Sequence, residues 1–201
     1  MRILHSLEKG AMYGIQPVQP PVWNDILSCQ AGNPAKQNRT NQKRRTAKGK
    51  SMKSRACLGI DPGKTGAAAI IHSEGHEVFD WPDDVSSAAD KLRDWRLNYD
   101  IRAGALEAVH AMPKQGVSST FSFGCNLGQW MGLLAALSIP YVMPRPVQWK
   151  KGLIKKADGK DPKTAALVVA RRLFPDAELH LKKHHGRAEA LLLAWWAKQG
   201  L

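Results

Sequence analysis

The 201-residue chain has only three cysteines, Cys29, Cys57 and Cys125, far apart and forming no C-x-x-C pair. This argues against a disulfide framework or a four-ligand zinc site and fits a reducing compartment. No apolar run approaches the roughly 18 residues needed to span a bilayer, and no apolar segment with a cleavage site opens the chain. The expectation is a soluble protein that is not secreted. Acidic residues are scarce, with 17 Asp and Glu against 30 Lys and Arg, a net charge of +13. A field of that sign draws polyanions, nucleic acid being the commonest. Residues 1–55 hold 11 basic and 2 acidic residues, whereas 56–201 hold 19 and 15, so most of the excess lies at the start. With 43% hydrophobic residues the chain can form one respectable core, and two domains would be crowded.

Residues 1–54 read as a leader. Its end, "QAGNPAKQNRTNQKRRTAKGKSMKSR", is rich in Gln, Asn, Lys and Arg and lacks apolar periodicity, so disorder is expected. Three explanations stand side by side: a nucleic-acid-binding tail, an organelle-targeting segment, or a start codon placed too early, since Met52 lies just before the first strand.

Residues 55–201 read as one α/β domain. Within "CLGIDPGKTGAAAI" the glycines, lysine and threonine suggest a phosphate-binding loop, but the interval from Gly59 to Gly63 is one residue short of that motif. Asp61 would also put a carboxylate inside a cradle for anions. The stretch reads better as a strand over 56–60, a Pro62-Gly63 turn and a paired strand over 66–71, with Asp61 closing the first strand. Held there, Asp61 suits a divalent cation; as an alternative, it starts the turn through its own side-chain hydrogen bonds. "HEVFDWP" gives a third strand, "VSSAADKLRDWRLNY" a helix, and "RAGALEAV" a fourth strand interrupted by Gly104. A long helix follows in "SSTFSFGCNLGQWMGLLAALS", then a fifth strand over 139–143, fenced by Pro140 and Pro144. "DPKTAALVVARRLF" is a helix capped by Asp161 with Pro162 in its first turn, and "GRAEALLLAWWAKQG" is the last helix. That order implies a mixed five-stranded sheet with helices on both faces.

Three acids fall where this layout converges. Asp61 ends strand one, Glu107 stands near the end of strand four within apolar "GALEAV", and Glu189 edges the apolar run "ALLLAWW". A buried carboxylate is costly unless paired or metal-bound, and three are less so if they share a cation. Hard oxygen ligands with room for water and phosphate oxygens describe Mg²⁺, and basic surroundings point to a phosphodiester substrate.

In that order, "GIDPGKTG", "ALEAVHAMPKQG", "PVQWKKGL" and "KKHHGRAEALLLAWW" resemble the RuvC family of Holliday junction resolvases, which has the ribonuclease H-like fold. The likeness is to the branch with phage-encoded RuvC-like nucleases and the plastid resolvase, and it covers about 56–199. It implies a Mg²⁺-dependent endonuclease, with Mn²⁺ as substitute, acting as a homodimer on four-way or other branched DNA and leaving a 5′-phosphate and a 3′-hydroxyl. Asp61, Glu107 and Glu189 would be its metal ligands. His185, or His184 in its place, would take a ligand or proton-transfer role, although the spacing to Glu189 departs from that of the bacterial resolvases. Lys150, or Lys151, matches a lysine near the scissile phosphate. Lys64, Lys114, Lys151, Lys163, Lys182, Lys183 and Arg187 are expected on nucleic acid. Two metals about 3.5 to 4 Å apart would activate a water and stabilise the leaving oxygen. The location implied is the cytoplasm of a bacterial or phage-infected cell, or an organelle if the leader is a targeting segment. A less selective nuclease, a catalytically inactive junction-binding module and an actin-like ATPase remain as alternatives, the last disfavoured because it needs two copies of the fold. Gly124, Gly128 and Gly132 line one face of the long helix, which either packs closely on its own sheet or meets a second copy across a two-fold axis.

Overall fold

The computed structural model describes residues 53–110 and 116–200. The leader up to residue 52 and Lys114 lie outside the described residues. Four strands form one sheet in the order β3-β2-β1-β4. β1 (Ser54–Asp61) and β2 (Ala67–His72) make a hairpin with Asp61 opposite Ala67, and β3 (Gly75–Asp80) pairs antiparallel with β2. After α1 (Val85–Asn98), β4 (Tyr99–Leu106) returns parallel to β1 on its other side. The central strands are buried along most of their length, Ala56–Asp61 in β1 and Ala67–Ile71 in β2, because both faces are covered. Leu58, Ile60, Ala68, Ile70 and Leu106 meet Leu92 and Trp95 of α1 and Trp130 and Leu134 of α2 (Val117–Ala136). Cys57, Ala67, Ala69, Ile71 and Ala105 point the other way. They meet Trp149 of α3 (Pro146–Lys150), α4 (Pro162–Leu173) and α5 (His185–Gln199).

The expected fifth strand reduces to one residue. Val142 makes an isolated parallel bridge to Ala105, with Leu106 N–H donating to Val142 O and Val142 N–H to Gly104 O. Pro140 and Pro144 on either side lack the N–H that a longer ladder requires, which is why an apolar run of strand-forming composition stops at a single bridge. The sheet is therefore four-stranded among the described residues.

Two glycines set how closely α5 lies on the sheet. A Cβ on Gly59 of β1 would come within 2.1 Å of Ala190 O and 2.2 Å of Ala194 N. One on Gly186 would come within 2.3 Å of Thr65 O in the β1–β2 turn. Only hydrogen fits at either contact, so α5 rests directly on the strand and turn that carry Asp61. The fully buried run Ala190–Ala194 holds it there, each large apolar side chain contributing about 1.5–3 kcal/mol. Asp161 caps α4 as its sequence suggests, accepting from Thr164 N–H at 2.8 Å. On α2 the three glycines face outward, and a Cβ at Gly124, Gly128 or Gly132 would find no described atom within 4 Å. Close packing of that stripe on its own sheet is thus not what the fold contains.

Candidate active site

β1 and β4 run parallel, so their carboxyl ends lie side by side, the place where open α/β sheets leave a crevice. Asp61 is the last residue of β1. Glu107 is the first residue beyond β4, and its N–H donates to Ile60 O at 3.0 Å, fixing it next to Asp61. Glu189 comes from the second turn of α5. All three are buried, at 9%, 7% and 8% exposure. They open on a cleft of about 660 Å³ whose walls also include Lys64, Lys163, His185, Phe123 and Asn126.

Ligand atoms of Asp61, His185 and Glu189 all lie within 4.8 Å of one another. Glu107 stands beside this group with one oxygen, Oε1, accepting from the buried indole Nε1 of Trp149 at 2.8 Å. Lys150 Nζ donates to Glu189 Oε1 at 2.5 Å. Lys163, at the start of α4, brings its Nζ to 3.5 Å from His185 Nε2.

The charges are poorly reconciled without a cation. Burial pushes Asp61 well above the ordinary carboxylate range, and the charges of Glu189 and Glu107 push it further, with Lys150 and Lys163 opposing. Glu107 is raised mainly by burial and also by Glu189, against the Trp149 hydrogen bond and Lys150. His185 is held below its usual value by burial and then by Lys163. Its Nδ1 is buried with no partner among the described residues. Crowded carboxylates of raised pKa beside a neutral imidazole form an oxygen-rich donor set that fits a hard divalent ion.

Of the two histidines weighed for this place, His185 faces the cleft. His184 is buried elsewhere: it packs edge-on against His180, ring centroids 5.2 Å apart, with Asp80, Arg187 and Lys183 as its charged neighbours. Of the two lysines, Lys150 reaches the site and Lys151 is exposed at the end of α3. Lys163, expected only on nucleic acid, stands in the site itself. Lys64 lies exposed on the cleft wall, and Lys182 and Lys183 are exposed on the turn before α5. Arg187, also expected on nucleic acid, is paired within the protein. Its guanidinium is bidentate to Asp80, both bonds 2.7 Å, and reaches Glu178 at 3.2 Å, so it ties α5 to the edge strand rather than standing free for phosphate. Sequence reasoning missed Trp149 and Asn126. Trp149 lies inside the "PVQWKKGL" motif, and Asn126 interrupts the buried face of α2 that Trp130 and Leu134 continue at four-residue intervals.

A mixed sheet covered on both faces, with three carboxylates meeting where β1, β4 and the last helix converge, is the ribonuclease H-like arrangement. A solved structure agrees on the fold: the chain is similar to Thermus thermophilus RuvC in complex with a Holliday junction substrate, with a TM-score of 0.51 and 18% identity over 70% of this chain and 91% of that one. A further Thermus thermophilus RuvC structure aligns at a TM-score of 0.48, 19% identical over 72% of this chain and 96% of that one. By sequence the chain is 37% identical to the chloroplastic Holliday junction resolvase MOC1 of Chlamydomonas reinhardtii over 97 residues, which is 47% of this chain and 11% of that protein. The chain thus spans about a tenth of the length of that curated relative. No family model matches. The resemblance to RuvC-like resolvases, on the plastid side, therefore stands on motifs, fold and a partial sequence match together.

Proposed function

We propose that the chain is a Mg²⁺-dependent, structure-selective endonuclease that resolves Holliday junctions or other branched DNA by hydrolysing phosphodiester bonds. The observation that carries this reading is the convergence of Asp61, His185 and Glu189 ligand atoms within 4.8 Å, with Glu107 alongside, in a cleft edged by lysines. Asp61, Glu107 and Glu189 would hold Mg²⁺ or, in its place, Mn²⁺, with His185 as a further ligand or proton carrier. Such ions supply an activated water and charge stabilisation at the leaving oxygen.

The protein groups do the rest. Lys150 and Lys163 place positive charge beside the carboxylates, where it favours a phosphate whose negative charge grows during displacement. His185, held below its usual pKa, is neutral at physiological pH and able to accept a proton. Lys64, Lys151, Lys182 and Lys183 remain exposed for DNA backbone. The exposed glycine stripe of α2 supports a homodimer in which two clefts face matching phosphates of a four-way junction. The chloroplast address of the curated relative favours the targeting reading of the leader, and a reporter fused to residues 1–54 would test it.

The deciding experiment is Mg²⁺-dependent nicking of a synthetic four-way junction beside a linear duplex of matched sequence. Selective cutting of the junction is expected. Equal cutting of both would make the protein a less selective nuclease, and tight junction binding without cutting would make it an inactive binding module.

A further inference from the structure

Asn126 is 6% exposed, lines the cleft, and comes from α2, an element that supplies none of the carboxylates. Its Oδ1 accepts from Gly63 N–H at 2.7 Å, across 63 residues of sequence. Gly63 O in turn accepts from Gly66 N–H at 3.0 Å, closing the turn that leaves β1 at Asp61. Asn126 thus clamps the Asp61 turn from outside the hairpin. The Gly63 contact also fixes which way the amide points: oxygen to the turn, nitrogen away from it. That nitrogen, Nδ2, is buried and has no partner among the described residues. A buried amide donor left unpaired is unfavourable because it has lost its hydrogen bonds to water and gained none in return. An oxygen acceptor arriving with the site's ligands would remove that penalty.

We infer that Asn126 is a positioning residue: through Oδ1 it sets the turn that aims Asp61, and its Nδ2 hydrogens are kept for an oxygen that enters the cleft with the divalent ion or with the phosphodiester. This rests on the proposed nuclease reading, with the metal held by Asp61. It assigns to α2 a part in the chemistry that the carboxylates alone do not.

The test uses the full chain and three variants, Asn126→Leu, Asn126→Asp and Asp61→Asn. Mn²⁺ binding is measured without DNA by titration calorimetry, and exchange of the Gly63 amide hydrogen by NMR; junction cleavage is then followed at saturating Mn²⁺. Asp61→Asn checks the underlying reading: if it leaves Mn²⁺ binding untouched, the metal site is wrong, whatever Asn126 does. Given a metal at Asp61, Asn126→Leu is expected to speed Gly63 exchange and weaken Mn²⁺ by about fivefold, the worth of one ordinary hydrogen bond. Asn126→Asp keeps the acceptor and should retain slow Gly63 exchange, so it separates lost positioning from lost folding. Cleavage by Asn126→Asp that returns to wild type at saturating Mn²⁺ would assign the Nδ2 acceptor to an oxygen carried by the metal. Cleavage that stays about tenfold low there would assign it to the phosphodiester. Unchanged Gly63 exchange and unchanged Mn²⁺ affinity in Asn126→Leu would overturn the inference.

Discussion

Lys150 Nζ lies 2.5 Å from Glu189 Oε1, joining α3 to α5 across 39 residues of sequence. The same ammonium sits 4.8 Å from the Trp149 ring centroid, and the Trp149 indole holds Glu107. Two adjacent residues of one short helix thus each engage a different carboxylate. Replacing Lys150 with Ala should lower junction cleavage by about 10²–10³, the usual loss when one preorganised charge at a reacting centre is removed. Lys151→Ala should leave the rate at low salt unchanged and reduce the slope of log affinity against log salt by about one phosphate contact. Stopped cleavage assays and salt titrations on both variants would show whether the two lysines divide in this way.

The carboxylates themselves should be less forgiving. Asp61→Asn, Glu107→Gln and Glu189→Gln each keep shape while removing charge from the shared site, and cleavage should fall by at least about 10³. Junction binding in Ca²⁺ should survive in all three, since the exposed lysines are untouched. An Asp61→Asn protein that cuts at a near-normal rate would remove Asp61 from the metal site.

Protonation gives a measurement independent of DNA. Asp61 and Glu107 are both raised by burial, so each binds more protons folded than unfolded between its unfolded pKa of about 4 and its folded value. Their contribution is fully present below the unfolded pKa and is lost as pH rises through the folded one. In EDTA at neutral pH, Asp61→Asn should therefore melt above the wild type, by about 2–4 °C for each kcal/mol relieved. The gap should close as pH falls toward 4, and Mg²⁺ at saturation should cancel or reverse it at neutral pH. Parallel melting curves at every pH in EDTA would contradict the burial argument.

Arg187 should behave as a structural residue. Arg187→Ala breaks the bidentate pair with Asp80 and the contact with Glu178, so the melting temperature should drop by a few degrees. The salt dependence of DNA binding should stay as in wild type, because the guanidinium is already engaged.

Assembly can be tested on α2. The wild-type chain is expected to sediment as a dimer without DNA, and Gly128→Leu, which meets no described atom of its own chain, should yield a folded monomer. That monomer should nick one strand of a junction but lose paired cutting within one binding event. A wild-type monomer at micromolar concentration that still cuts in pairs would defeat the dimer.

Much of this site was legible because its acids break an apolar pattern. Asp61 precedes a Pro-Gly turn, Glu107 interrupts "GALEAV" and Glu189 borders "ALLLAWW", so each announces itself locally. The alternation of strands and helices was legible for the same reason. What stayed hidden depends on contacts between distant segments. Arg187 looks like a free charge until Asp80, 107 residues away, is seen to meet it. Asn126 looks like a polar residue on a helix until the Gly63 amide reaches it. Residues 139–143 have strand-forming side chains, but the missing prolyl N–H groups decide how far pairing extends. His184 and His185 are adjacent in sequence, and only the start of α5 turns one toward the carboxylates and the other toward His180.

The backbone contact at Gly59 has a consequence for how the protein is made. Strand β1 can form early in synthesis, yet its carboxylate stays without Glu189 until α5 has left the ribosome and settled against Ala190 and Ala194. Because that seat admits no side chain, a partly docked last helix would hold Glu189 away from Asp61. The growing chain therefore carries Asp61, Glu107 and the lysines of α3 and α4 before it gains Glu189. The order of synthesis therefore places Asp61 in the chain well before the helix that brings Glu189 to it.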